Sequence, residues 1–489
     1  MLNYGNPQLR IQILDEIKAF NNQNQKKESL KEFEIFKGRI YPYVKEYLEG
    51  MLSKESVSEM PIVSSINLCK RVIKQEASIY KEAPIRTFVG VSEEQAKALE
   101  ELYEYMNINV KMAKANEAYK LQDQTHLQVV LINGELCVRP MMRHHLDAVP
   151  SPLDPEQADA YIVSGFDRSM FAPRLNENED EFNQLIADPE DYKGVTKLAL
   201  WSDEFNFIMD VQGNIVSGPD VANPIKVKPF VDISNQKDYE YWVRPSMSLT
   251  DFTVQFNSAM SDLGQIVRMQ GFAQAYLIGE ESLMPQNIQI GPNYVLKLPV
   301  NPDKPTTTEF GFANPNSDLA GSISYIEMLL STFLSAQGVD PNIVSGKAQG
   351  QSYSSGIERL LAMIDKFEAS KADMDLFAYA EKKLFKIIAA YINTYSGTEL
   401  FKYNIGAIPE GANVEIQYKK PEMMMSEKEK LEVIQLKTDL GIMSQVEAIA
   451  FDRGLDLEEA AKVKAEIDKE IAMPSLMPRP QIPDNNGQN

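Results

Sequence analysis

SLTDFTVQFNSAMSDLGQIVRMQGFAQAY, residues 248–276, opens with a helix start and carries one apolar stripe along its length. Ser248-x-x-Asp251 has the form of a capping box, in which the serine oxygen meets an orphan backbone N–H and the acid reaches back. Leu249, Phe252, Phe256, Met260, Leu263 and Val267 recur every three or four residues, which predicts a helix to Tyr276. DLAGSISYIEMLLSTFLSAQ (318–337) repeats the pattern with Leu319, Ile323, Ile326, Leu330 and Phe333. Between the two, residues 277–317 hold Pro285, Gly291-Pro292, Pro299, Pro302, Pro305 and Gly311 around short strand-like runs such as Tyr294–Leu298. Two helices, each ~30–40 Å long at 1.5 Å per residue, therefore bracket a small β-rich insert. No short loop joins them, so their stripes are expected to find cover outside a tight hairpin pair.

The chain on the C-terminal side continues this organisation. GVDPNIVSGKAQGQSYSSG (338–356) holds four glycines and reads as a flexible loop. It feeds a long amphipathic run marked by Ile357, Leu360, Leu361, Ile364, Phe367, Met374, Phe377, Leu384, Ile388 and Tyr391, ending at Gly397. Such a helix is ~60 Å long and requires neighbours along its length, or a bend. Three capping boxes follow: Ser426-x-x-Glu429, Ser444-x-x-Glu447 and Asp456-x-x-Glu459, with Gly441 and Gly454 at the expected stops. Residues 426–472 are thus three short helices, and the proline-rich segment 474–489 is expected to be disordered.

On the N-terminal side, residues 1–247 read as an α+β body. Ile62, Ile66, Cys69, Val72, Ile73, Ala77 and Tyr80 predict a helix between Pro61 and Pro84. Two more helices are expected from Ser92 to Met106 and around Val110–Tyr119. The period then changes to two. Leu127–Val138 reads as a β-hairpin turning on Asn133-Gly134. Further strands are expected at Tyr161–Val163, Val195–Trp201, Asn206–Asp210 (before a Gly213-Asn214 turn) and Tyr239–Arg244. The fold class is therefore α+β, mainly helical.

Composition narrows the function. The 489 residues carry 49 Lys+Arg against 70 Asp+Glu, a net charge of −21. Affinity for nucleic acid or anionic membrane comes from clustered bases, so a chain this acidic is a poor overall binder of either. From Pro150 to Lys193 alone there are eleven acids and three bases, a solvated acidic face. No run approaches the ~20 apolar residues of a membrane span, and no membrane partner is expected. The first residues lack the basic flank and apolar core of a signal peptide. Cys69 and Cys137 are too few for a disulfide framework, which points to a reducing compartment.

No catalytic constellation emerges, and neither an enzyme nor a cofactor is expected. Gly346-Lys347 invites a phosphate-loop reading, but Pro341 and Ala348 stand where that motif needs Gly and Ser/Thr. Gly350-Gln-Ser352-Tyr-Ser354 lacks the second glycine of a nucleophile elbow and follows a helix. His144-His145 with Asp147 lacks further ligands for a metal, so a surface pair is the better reading. Asn176–Glu181 has no calcium-loop spacing. Met423-Met424-Met425 suits either an adaptable contact surface or filling beneath the C-terminal helices.

The order of parts resembles the portal proteins of tailed bacteriophages. SSINLCKRVIKQEASIYKEAPI (64–85) is similar to the first helix of that family's wing, and the helix–insert–helix unit 248–337 resembles its stem helices and clip. The glycine-rich loop sits at the place of the tunnel loop, SSGIERLL (354–361) resembles the start of the long helix after it, and KLEVIQLKTDLGIMSQVEAI (430–449) resembles the crown. The likeness covers most of the chain by pattern, without a single diagnostic signature. It implies a wing at 1–247, stem helices at 248–276 and 318–337, a clip at 277–317, a tunnel loop at 338–356, a long wing helix with closing strands at 357–420, and a crown at 421–473. It further implies a twelve-subunit ring at the capsid vertex of a virion, made in the bacterial cytoplasm, through which double-stranded DNA is packaged and ejected. Implied partners are the terminase large subunit, head–tail adaptors, the major capsid protein and scaffold. On this reading Lys347, Gln349, Gln351 and Ser352 touch DNA from the loop, while Phe252, Phe256, Ile326 and Phe333 form the stem contacts of the oligomer. The alternatives are another virion ring or adaptor, or an intracellular enzyme with an unrecognised site.

Overall fold

A computed structural model describes residues 2–164, 197–234, 237, 239–243, 248–271, 274–278, 309–313, 319–336, 356–418, 434–435, 438, 443–453 and 456–472. The chain divides into two compact units, Met1–Lys419 and Lys420–Asn489. Helix and strand are mixed in an α+β arrangement.

In the first unit, strands β2 (Gln124–Ile132) and β3 (Glu135–Met141) form the expected hairpin. Asn133 and Gly134 take φ of 50° and 79°, the paired positive angles that a primed two-residue turn requires. A Cβ at Gly134 would also lie 3.0 Å from Lys402 Cγ, so any larger residue would have to displace that side chain. The other edge of β2 pairs antiparallel with β8 (Phe230–Ser234), giving the order β3-β2-β8. The sequence reading placed a strand at Tyr239–Arg244 instead; residues 239–242 are bends, and Phe230–Ser234 takes the sheet edge. A second antiparallel sheet runs β4-β5-β6-β7, from β4 (Leu146–Pro150) and β5 (Ala158–Ser164) to β6 (Leu198–Trp201) and β7 (Asn206–Met209). Tyr161 of β5 stacks on Phe230 of β8 with ring centroids 4.5 Å apart, so side chains of both sheets share one core.

Helices complete that core. Those at Glu93–Tyr105 and Ile108–Gln122, α6 and α7, contribute Leu99, Leu102, Met112 and Tyr119. The long run is one continuous helix of 40 residues, Gly356–Tyr395, labelled α10. Its Phe377, Leu384, Phe385, Ile388, Tyr391 and Tyr395 are buried, and the Tyr391 hydroxyl donates to the Val129 carbonyl of β2 at 3.1 Å. The demand for neighbours is thus met along its C-terminal half. Next to it, β1 (Ile85–Val89) pairs antiparallel with β11 (Asn413–Gln417) and ties the C-terminal end of this unit to the chain that follows its N-terminal helices.

The N-terminal helices α1 (Pro7–Lys18), α2 (Phe20–Lys37), α3 (Tyr41–Glu49) and α4 (Lys54–Glu59) precede a surprise for the sequence pattern. The amphipathic stretch between Pro61 and Pro84 is helical only at Leu68–Glu76, labelled α5. Asn67 caps it, accepting from Lys70 N at 2.8 Å, and residues 61–67 before it form neither helix nor strand.

In the second unit, helices Gln445–Arg453 and Leu457–Ala472 begin as the capping pattern requires. Ser444 and Glu447 exchange hydrogen bonds of 3.2 and 2.7 Å, and Asp456 accepts from Glu459 N at 2.7 Å. The box at Ser426, the stops at Gly441 and Gly454, the methionine run and segment 474–489 lie outside the described residues.

Candidate functional site

The feature with the most functional content is the helix pair read first in the sequence. Helix α8 covers Ser248–Gly271 and helix α9 covers Leu319–Ala336. The first stops before Tyr276, because Gln274–Ile278 is a strand, β9, paired antiparallel with β10 (Glu309–Ala313). This ladder sets Gln274 opposite Ala313, which returns the chain to the end of the helix it left. The two helices can therefore pack on each other despite the long insert between them.

Their seam holds all four stem residues named from the sequence. Phe252 and Phe333 stack with centroids 3.7 Å apart and planes 4° from parallel. Phe256 and Ile326 are buried beside them, with Leu334 and with Leu68 and Val72 of α5. The sequence reading left these stripes without cover in their own chain. They have it: each helix covers the other, and α5 adds Leu68 and Val72. A stripe shared by two helices of one chain and a stripe awaiting a neighbour look alike in sequence.

The opposite face of α9 is uncovered. Across Leu319–Ala336 the mean hydropathy is 1.3, and only 11% of these residues are buried. By length and composition this helix is apolar enough to cross a membrane, a property the sequence reading denied to the whole chain. Tyr325 is 57% and Met328 60% exposed, with Ile323 and Val267 of α8 also exposed. Gly321, Tyr325, Met328 and Thr332 follow a 4-3-4 spacing, a second stripe on the side away from Ile326. Beside it runs a groove of about 440 Å³ between the helices, lined by Ala259, Leu263, Ile266, Gly321, Tyr325 and the single charged group Asp262. Sequence reading missed Tyr325 and Met328; the signal available was a helix whose sole charge is Glu327.

A third face of α8 is polar and already occupied. Thr253, Asn257 and Ser261, all buried and four residues apart, hold the chain leading into α5 and its first turn. Ser261 Oγ accepts from Val63 N at 2.8 Å, and Thr253 Oγ1 from Cys69 N at 3.0 Å. Asn257 bonds both backbone groups of Ile66, accepting from N at 3.2 Å and donating to O at 2.8 Å. The side chains of a helix thereby satisfy backbone groups at Val63, Ile66 and Cys69.

Lys347, Gln349, Gln351 and Ser352 lie outside the described residues, as does the Gly346-Lys347 pair. Among the described residues no three His, Cys, Asp or Glu side chains converge as a metal site. The histidine pair of the sequence reading has a structural setting: His144 Nδ1 lies 2.9 Å from Ser29 Oγ, and His145 Nδ1 accepts from Met142 N at 3.1 Å. No protein-family model matches the chain, and no curated protein matches it.

Proposed function

We propose that the chain is the subunit of a ring-shaped channel at a capsid vertex, of the kind built by the portal proteins of tailed bacteriophages. The observation that carries this reading is the uncovered face of α9, on which the large apolar side chains of Tyr325 and Met328 stand exposed among serines and a threonine. An apolar helix this exposed needs an occupant. A groove on one side of the α8–α9 pair and projecting side chains beside it suit a head-to-tail contact between copies. Contacts of that type form a ring where the rotation between copies closes, and an open filament where it does not. The overall charge of −21 fits a conduit, since an acidic wall repels phosphate and lets DNA slide. On this reading α8 and α9 form the stem, the β9–β10 ladder belongs to a clip that docks the terminase motor and later adaptors, and residues 1–247 with α10 form the wing. The loop at 338–356, with Lys347, Gln349, Gln351 and Ser352, faces the passing DNA.

Electron microscopy of the purified chain, prepared without detergent, tests this directly. Rings with a central channel are expected. Monodisperse single subunits would refute the proposal, and a detergent requirement would place α9 in a bilayer instead.

A further inference from the structure

Helix α10 carries a basic strip that the acidic composition of the chain conceals. Over its described side chains, the acids and bases are sorted by face. Glu381 points inward and is buried, with Arg86 Nε 2.5 Å from its carboxylate and the Tyr80 hydroxyl donating to it at 2.7 Å. Asp373 likewise is buried and pairs with Lys120 at 2.6 Å. Both acids are therefore neutralised inside by bases from other elements. The outward side keeps Lys371, Asp375, Tyr379 and Lys386 exposed and Lys382 and Lys383 half-buried, four lysines against one aspartate. No described carboxylate forms an ion pair with Lys382, Lys383 or Lys386. Tyr379 is 58% exposed, and the Lys383 ammonium lies 4.5 Å from its ring centroid.

We propose that Tyr379, Lys382, Lys383 and Lys386 form a contact surface for the phosphodiester backbone of double-stranded nucleic acid. Spacing at i, i+3, i+4 and i+7 puts all four on one face. From Lys382 to Lys386 the helix advances about 6 Å, over which a duplex presents three to four phosphates at one charge per 1.7 Å of axis. Lysines are point charges without the planar fork that reads base edges, so the contact is independent of sequence. A membrane surface fits poorly. Helices that lie on bilayers insert an apolar face, and the apolar face of α10 is buried in the core. The choice of nucleic acid over other polyanions rests on the proposed conduit function. The contact itself does not, because it needs no ring.

The test is fluorescence anisotropy with a labelled 24-base-pair duplex between 50 and 200 mM salt, comparing the full chain with the triple variant Lys382→Gln, Lys383→Gln, Lys386→Gln. Losing three phosphate contacts should lower the slope of log K against log salt by about 2.7, at 0.9 per contact, for any duplex sequence. Unchanged circular dichroism and melting of the variant establish that the fold is retained. An identical slope in the two proteins, or absence of binding by the parent at 50 mM salt, would overturn the proposal. Equal or tighter binding of polyglutamate or of anionic vesicles would assign the strip to an acidic peptide or a lipid surface and overturn it as well. Failure of the chain to form rings would refute the conduit while leaving the slope difference to be read.

Discussion

Buried ionisable groups set how the N-terminal body responds to pH. Glu32 on α2 is buried, and its carboxylate accepts from Gln122 Nε2 at 3.0 Å. Burial pushes the carboxyl up to about 8; the Gln122 bond opposes this, and nearby Asp123, Glu28 and Asp251 add to it. The folded chain thus keeps a proton that the unfolded chain releases near 4.5, so stability falls as pH rises from 4.5 to 8. His126 acts at the other end. Burial lowers it to about 4, so the unfolded chain gains a proton first and stability falls as pH drops below 6.5. Glu32→Gln keeps an acceptor for Gln122 and removes the upper slope. Melting curves should coincide near pH 5, and the variant should gain up to about 1.4 kcal/mol per pH unit on the parent toward pH 8. Parallel curves across that range would mean that Glu32 is ionised in the fold.

Among elements, α10 and β1 are held by a contact that a single substitution exposes. Arg86→Ala would leave Glu381 buried without its cation, at a cost of about 3–5 kcal/mol. Arg86→Ala with Glu381→Gln should recover much of this, because the charge goes as well. A double-mutant cycle by urea unfolding measures the coupling; additive losses would show that the pair does not act as a unit.

Which elements could be read beforehand follows from where their determinants lie. The β2–β3 hairpin is legible because Asn133 and Gly134 specify the turn locally. The caps at Ser92, Ser444 and Asp456 are legible for the same reason. The run before α5 is not. Its apolar spacing mimics a helix, and the hydrogen bonds that take up its backbone groups come from Asn257 and Ser261, nearly 200 residues away. Strand β8 was missed because its signal lies in pairing with β2. At the α8–α9 pair, the sequence marks both helices but not which stripe each turns to the other. The stronger stripe, Phe252 with Phe333, is the internal one.

For the whole molecule, that reversal separates folding from assembly. Phe256 is buried in the α8–α9 seam against its own chain. Phe256→Asp would bury an unpaired charge and forfeit packing, at a cost of about 3–5 kcal/mol, so the chain should melt early or fail to fold. Ile326→Asp should behave in the same way. Tyr325 and Met328 make a different case, because each is more than half exposed in the single chain. Aspartate at either position should change monomer stability by within about 0.5 kcal/mol, as surface substitutions usually do. In a ring, however, these positions meet a neighbour, and a charge there would be desolvated without a partner. The double variant Tyr325→Asp, Met328→Asp should therefore keep its melting temperature as a dissociated subunit and lose the ring in light scattering and electron microscopy. Rings that persist in this variant would remove α9 from the subunit interface. A Phe256→Asp chain that folds normally yet does not assemble would return the interface to the seam.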